Sequence, residues 1–195
     1  MHIPDLTVSC YHKGGPLDPQ EWAVPLLYVG WLEYPHSFAT GIVSDSALSK
    51  LKAIVTQTKA VYGLCVGFLG VKSCTLCDAS GIPSPESFSL LSDVPRRQSF
   101  PLGIPGPWSQ ENIFVPGCRV VYAAPGGVVH YVEAHEYLPP LEFVRSVLCC
   151  PDPDSTEYYE ALRASNAGAE PPLKRTDDLF KEWARQVPAR GKKEP

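Results

Sequence analysis

The stretch Val120-Val-Tyr-Ala-Ala-Pro-Gly-Gly-Val-Val-His-Tyr-Val-Glu-Ala-His-Glu-Tyr-Leu-Pro-Pro140 reads as a strand end, a turn, a short helix and a hard stop. Pro125 suits the first position of that helix, where no N–H is lost. Val128, Val129 and Val132 give it an apolar flank. His130 and His135 lie on the same helix, and upstream a Cys74-Thr-Leu-Cys77 knuckle supplies two thiols to meet them. A Cys-x2-Cys turn can place two thiolates on adjacent corners of a tetrahedron, and zinc accepts imidazoles at the other two. One geometric condition attaches to this set. Five steps of a regular helix rotate by about 500°, so the two histidines would diverge by about 140°. They converge only if His135 occupies a distorted last turn, which Pro139-Pro140 and the restricted residue before them favour.

Working outward, Ile113-Phe-Val115, the Pro116-Gly117 turn and Arg119-Val-Val-Tyr122 form a β-hairpin. Beyond the proline corner Leu141, Val144, Val147 and Leu148 recur at helical spacing, and Ser155 or Thr156 caps a further helix over 157–164 with Tyr158, Tyr159 and Leu162 as contacts. Upstream, residues 24–32 have the content of a buried strand, with Pro25 at its start. Ser44 or Ser46 caps a helix to about Thr58 whose stripe is Leu48, Leu51, Ile54 and Val55. Residues 61–71 read as a bent, glycine-punctuated strand that leads into the cysteines and places them at a strand end. Residues 79–110 form a proline-rich insertion. After Asn166 a Gly-Ala-Glu-Pro-Pro linker precedes a helix capped by Thr176, with Leu179, Phe180, Trp183 and Val187 on one face, and a charged end.

The 195 residues suit one domain of about 150 residues plus a tail. With 21 prolines and 15 glycines the chain is loop-rich but still globular in composition. A net charge of −4 argues against a dedicated nucleic-acid binder, whose affinity comes from clustered Lys and Arg. The first residues lack a signal-peptide pattern, and the apolar run 60–71 is shorter than the roughly 20 residues of a membrane span. Seven cysteines, an odd number, without an export signal point to free thiols or metal ligation in the cytoplasm rather than to a disulfide framework.

The expected architecture is therefore one α+β domain over residues 1–165, a small mostly antiparallel sheet with helices packed on one side and a zinc-knuckle cross-link. Residues 166–195 add a linker, an amphipathic helix and a charged tail. The expected metal ligands are Cys74, Cys77, His130 and His135. Against this stands a plainer reading, buried free cysteines and histidines that hydrogen-bond locally. A redox pair is weaker, because a strand-end position lacks the helix opening that lowers a thiol pKa. His-x2-Glu-x-His matches neither H-E-x-x-H nor H-x-x-E-H, and four protein ligands leave no corner for water, so the zinc is expected to be structural and Glu133 a solvated charge. No nucleophile elbow or phosphate-binding glycine loop occurs.

Pro4-Asp5-Leu6-Thr7, Gly30-Trp31-Leu32, the Cys-x2-Cys and Val-Tyr-x-Ala-Pro-x4-His-Tyr-Val-x2-His-x-Tyr-x-Pro-Pro-x2-Phe together resemble a family of small uncharacterised bacterial proteins over about residues 1–150. The long insertion and Gly126-Gly127 depart from that pattern. The resemblance implies the same four metal ligands and no particular activity. The functional expectation is a non-enzymatic, zinc-stabilised interaction protein of the immunity or adaptor kind with another protein as partner. A metal-dependent hydrolase using the Cys/His site is the alternative.

Overall fold

The computed structural model of the chain describes residues 2–10, 17–62, 74–80 and 112–173. Within them the architecture is α+β, a three-stranded mixed sheet with five α-helices. The strands are β1 (Leu26–Tyr28), β2 (Asn112–Pro116) and β3 (Val121–Pro125), in the order β1-β3-β2. β2 and β3 are the expected hairpin, antiparallel with Phe114 opposite Ala123. β1 runs parallel to β3, Leu27 opposite Tyr122. β2 and β3 are buried along almost their whole length, which is why both read as continuous apolar runs rather than alternating ones. The N-terminal segment lies antiparallel along the free side of β1, with bridges Ile3–Trp31 and Val8–Leu27.

Helix α1 (Asp45–Tyr62) starts at Ser44, whose Oγ accepts from the Ala47 N–H, and buries Leu51, Ile54 and Val55. It runs on past Thr58, so Val61 and Tyr62, expected as strand, are helical. The rest of that expected strand, the insertion beyond Ser80 and the capped helix after Thr176 lie outside the described residues. Pro125 is also placed differently. It closes β3 opposite Asn112, and the helix behind it, α3 (Val128–His135), begins three residues later, after Gly127. A strand terminus tolerates proline as well as a helix start does, so sequence alone does not separate them.

Helix α4 (Leu141–Cys149) follows the proline corner, and α5 (Thr156–Ser165) is capped by Ser155 Oγ on the Tyr158 N–H at 3.1 Å. Only Val147 of the stripe expected on α4 is buried. Phe143 and Val147 face the core, while Leu141 and Leu148 are 59% and 46% exposed. α1, α4 and α5 all contact β2. The chain stays packed to Leu173, with Asn166 fully buried and its Oδ1 accepting the Ala23 N–H at 2.7 Å.

Core and hydrogen bonding meet at Tyr158, a fully buried side chain whose hydroxyl donates to the Phe114 carbonyl of β2. Tyr158→Phe strands that carbonyl away from water. It should cost about 1–3 kcal/mol of unfolding free energy, measured by urea titration at constant m-value.

Candidate metal centre

The strand expected to lead into Cys74 and Cys77 is mostly outside the described residues, and Cys77 itself is helical. Cys74 immediately precedes α2 (Thr75–Ser80) and caps it, its Sγ accepting the Cys77 N–H at 3.4 Å and its carbonyl accepting the Asp78 N–H at 3.0 Å. Both thiols are buried. The Cys-x2-Cys spacing thus winds one turn of helix, which leaves the two sulfur atoms side by side. The helix opening missing from the redox reading is present, although α2 is only six residues long.

The histidines meet the condition that their spacing imposes. His135 is the last residue of α3, and Glu136 behind it is left-handed, at φ 53°. The N–H groups of Glu136 and Tyr137 both reach back to the Tyr131 carbonyl, five and six residues upstream, in place of the regular four. A wider turn takes more residues per revolution, so five steps bring His135 back towards the side of His130. The two Nε2 atoms end 3.2 Å apart.

The four residues converge. Cys74 Sγ lies 3.3 Å from His135 Nε2, and Cys77 Sγ lies 3.3 Å from both His130 Nε2 and His135 Nε2. All four ligand atoms fall within 4.8 Å of one another, and the group can hold a metal ion. Around a tetrahedral zinc with ordinary bond lengths, neighbouring nitrogens would be about 3.3 Å apart and nitrogen and sulfur about 3.6 Å. The four distances of 3.2 to 3.3 Å are within a few tenths of an ångström of that, and the whole set stays within 4.8 Å. It is tight enough for one ion and too tight for a larger group between the side chains.

Burial acts on Cys77 and on both histidines in one sense, against charge. The Cys77 thiol is pushed up to about 11, first by desolvation and then by Cys74 beside it. Both imidazoles are held below their usual value, His130 by burial and then by His135, His135 by burial. Neutral histidines with free lone pairs are what a metal requires, whereas Cys77 must give up its proton to bind one. Tyr131, not among the residues expected from sequence, belongs to this surrounding. Its ring lies 5.9 Å from that of His130 and 6.4 Å from that of His135, and burial, then the Cys74 charge, hold its hydroxyl protonated. Its position directly after His130 was the available signal.

The other candidates separate from this cluster. Glu133 is not a free solvated charge but an ion pair with Lys52 of α1 at 2.6 Å, both half-exposed, which ties α3 to α1 weakly. His36 stacks on His2 with ring centroids 4.2 Å apart. Trp31 packs inward and donates from Nε1 to the Ala123 carbonyl at 3.3 Å. Cys149 is exposed, while Cys150 is buried and burial raises its thiol to about 12.

These shifts define a pH window for the metal-free chain. The histidine pKa values are lower folded than unfolded, so their contribution is present above about 6.5 and is lost as pH falls through the folded values. The Cys77 value is higher folded than unfolded, so its contribution is full below 9.0 and lost as pH rises through about 11. The urea midpoint of chelator-treated protein should therefore be greatest between about pH 7 and 9 and fall on both sides. A midpoint that kept rising down to pH 5 would contradict this assignment.

No curated protein and no solved structure matches the chain. The family described as a domain of unknown function, DUF7919, matches residues 1–148, and with the cysteine knuckle and the histidine helix both inside that span, the chain belongs to this family.

Proposed function

We propose that this protein is a non-enzymatic, zinc-stabilised interaction protein of the cytoplasm, in which Cys74, Cys77, His130 and His135 hold one structural zinc ion. The observation that carries the reading is the convergence of two thiols and two Nε2 atoms within 4.8 Å. Paired thiolate and imidazole donors in tetrahedral spacing suit zinc better than magnesium or calcium, which prefer oxygen. When bound, zinc supplies here a cross-link between α2 and α3 rather than a reaction centre. Four protein donors fill its tetrahedron and leave no position for a water nucleophile. The thiolates need a reducing compartment to stay available, which is the ground for placing the protein in the cytoplasm. Among the described residues no helix is long and apolar enough to cross a membrane.

The interaction role rests on a site that stabilises without an open corner, and on the organisation expected from sequence. A metal-linked body of about 165 residues would carry an amphipathic, charged tail for a protein partner. Nucleic acid is a poorer partner for a chain of net charge −4.

Elemental analysis of purified protein beside its Cys74→Ser variant, with thermal unfolding in the presence and absence of chelator, tests the reading. One zinc per chain is expected in the wild type and none in the variant. Zinc present at a thousand times its dissociation constant adds about 4 kcal/mol. In a chain of this size the chelator should then lower the unfolding midpoint by about 8–16 °C. Protein that carries no metal and ignores the chelator would sink the proposal. A small-molecule turnover abolished by His130→Ala in a folded protein would replace it with a metal-dependent hydrolase.

A further inference from the structure

We propose that Asp5 is a positioning residue for the Cys74, Cys77, His130, His135 cluster, and that through it the N-terminal segment 2–10 is a strap on which tight metal binding depends. This rests on the metal-binding reading of the cluster. Asp5 touches none of the four side chains. It acts on the element that carries two of them.

The Asp5 carboxylate accepts from two donors, the Gly30 N–H at 2.8 Å to Oδ1 and the Tyr137 hydroxyl, whose one proton is shared between Oδ1 at 2.8 Å and Oδ2 at 2.9 Å. Tyr137 is fully buried and stands immediately beyond the widened turn, its own N–H bonded to the Tyr131 carbonyl. Holding Tyr137 therefore holds the turn that brings His135 back to His130. Gly30 seats the other end of the same helix. Its φ is +74°, and a Cβ there would stand 2.8 Å from Val128 Cγ2, in the first residue of α3, and 3.5 Å from Tyr137 Cε1. The histidine helix thus rests on Gly30 at both its ends, and Asp5 binds that support.

The cysteine half is reached from the same stretch of chain. Four residues beyond Gly30, the Tyr34 N–H donates to Thr75 Oγ1 at 3.0 Å, and Thr75 is the residue next to Cys74. Residues 30–34 thus carry one contact to the histidine helix and one to the cysteine helix. A shift of a few tenths of an ångström between the two would spoil the tetrahedron.

Docking the N-terminal segment does not by itself require this carboxylate. The segment is already fastened through its backbone, by Ile3 N–H to the Trp31 carbonyl, Leu6 N–H to Tyr28, Ser9 N–H to Leu26 and, in return, Tyr28 N–H to Thr7. A charged group set against a buried ring is destabilising unless its hydrogen bonds are met, and here they are met by the two supports of α3. The side chain serves the helix, not the strap.

The test is a zinc affinity measured by competition with a chromophoric chelator on full-length protein, together with the visible absorption of the cobalt-substituted form. Asp5→Ala and Tyr137→Phe should each weaken zinc about 10-fold, the range typical of partners outside the ligand set. The double variant should be no weaker than Asp5→Ala alone, because Asp5→Ala already removes the contact that Tyr137→Phe removes. Each should also move the cobalt bands, and Asp5→Asn, which keeps an acceptor oxygen, should recover part of the loss. Tyr158→Phe is the control. It removes a buried tyrosine hydroxyl bond of the same kind from α5 and β2, so a general loss of stability would show there too. Unchanged zinc affinity in Tyr137→Phe, or an equal loss in Tyr158→Phe, would overturn the positioning role alone. A wild type that binds neither zinc nor cobalt would overturn it together with the metal reading.

Discussion

A helix of ordinary pitch would turn His130 and His135 away from each other, and the local structure from Val128 to Tyr137 is shaped by the need to prevent this. The turn opens, the backbone passes through a left-handed residue at Glu136, and Tyr137 drops into the core. The neighbouring chain is fixed in consequence. Tyr137 bridges to Thr40, the Leu138 N–H bonds to the Ala39 carbonyl and the Gly41 N–H to the Glu136 carbonyl, so residues 39–41 are laid against the helix exit. The proline corner then leads into α4, which packs against β2 and α1.

The parts of the fold that local pattern determines were legible in the chain. The hairpin shows in its two apolar runs about a proline-glycine turn, α1 in its stripe, and α5 in its serine cap. The four clustered side chains were legible too, because thiol and imidazole pairs at short spacing are rare without a shared purpose. Even the distortion at His135 could be anticipated, since the spacing demanded it. The rest depends on contacts that leave no local trace. Whether Pro125 ends a strand or starts a helix is decided by Asn112 opposite it. The parallel pairing of β1 with β3 joins residues almost a hundred positions apart, such as Leu27 and Tyr122. On α4 Phe143 and Val147 are buried while Leu141 and Leu148 stay exposed, a choice that spacing alone does not make. Asp5 and Tyr137 are 132 residues apart, and neither announces the other.

The cluster is also a part of the interior that disfavours charge. Two thiols and two imidazoles face one another where charge is disfavoured, and the surroundings of Cys77, His130 and Tyr131 all hold those groups neutral. Apolar side chains of similar size would pack there with less penalty. A metal ion is what such a group of four donors can hold.

The connectivity around the cluster bears on how such a chain can vary. Cys77 and His130 are 53 residues apart in sequence yet their side chains meet at 3.3 Å. Between them the chain leaves α2 at Ser80 and enters β2 at Asn112, and both elements are pinned to the core. Once two ends are fixed, the entropy of closing the span between them grows only as the logarithm of its length, about 0.6 kcal/mol for each doubling. The proline-rich stretch therefore lies where extra sequence carries little thermodynamic penalty. Insertions can accumulate there without disturbing the geometry on either side, and this one place can differ widely in length between chains that share the same core.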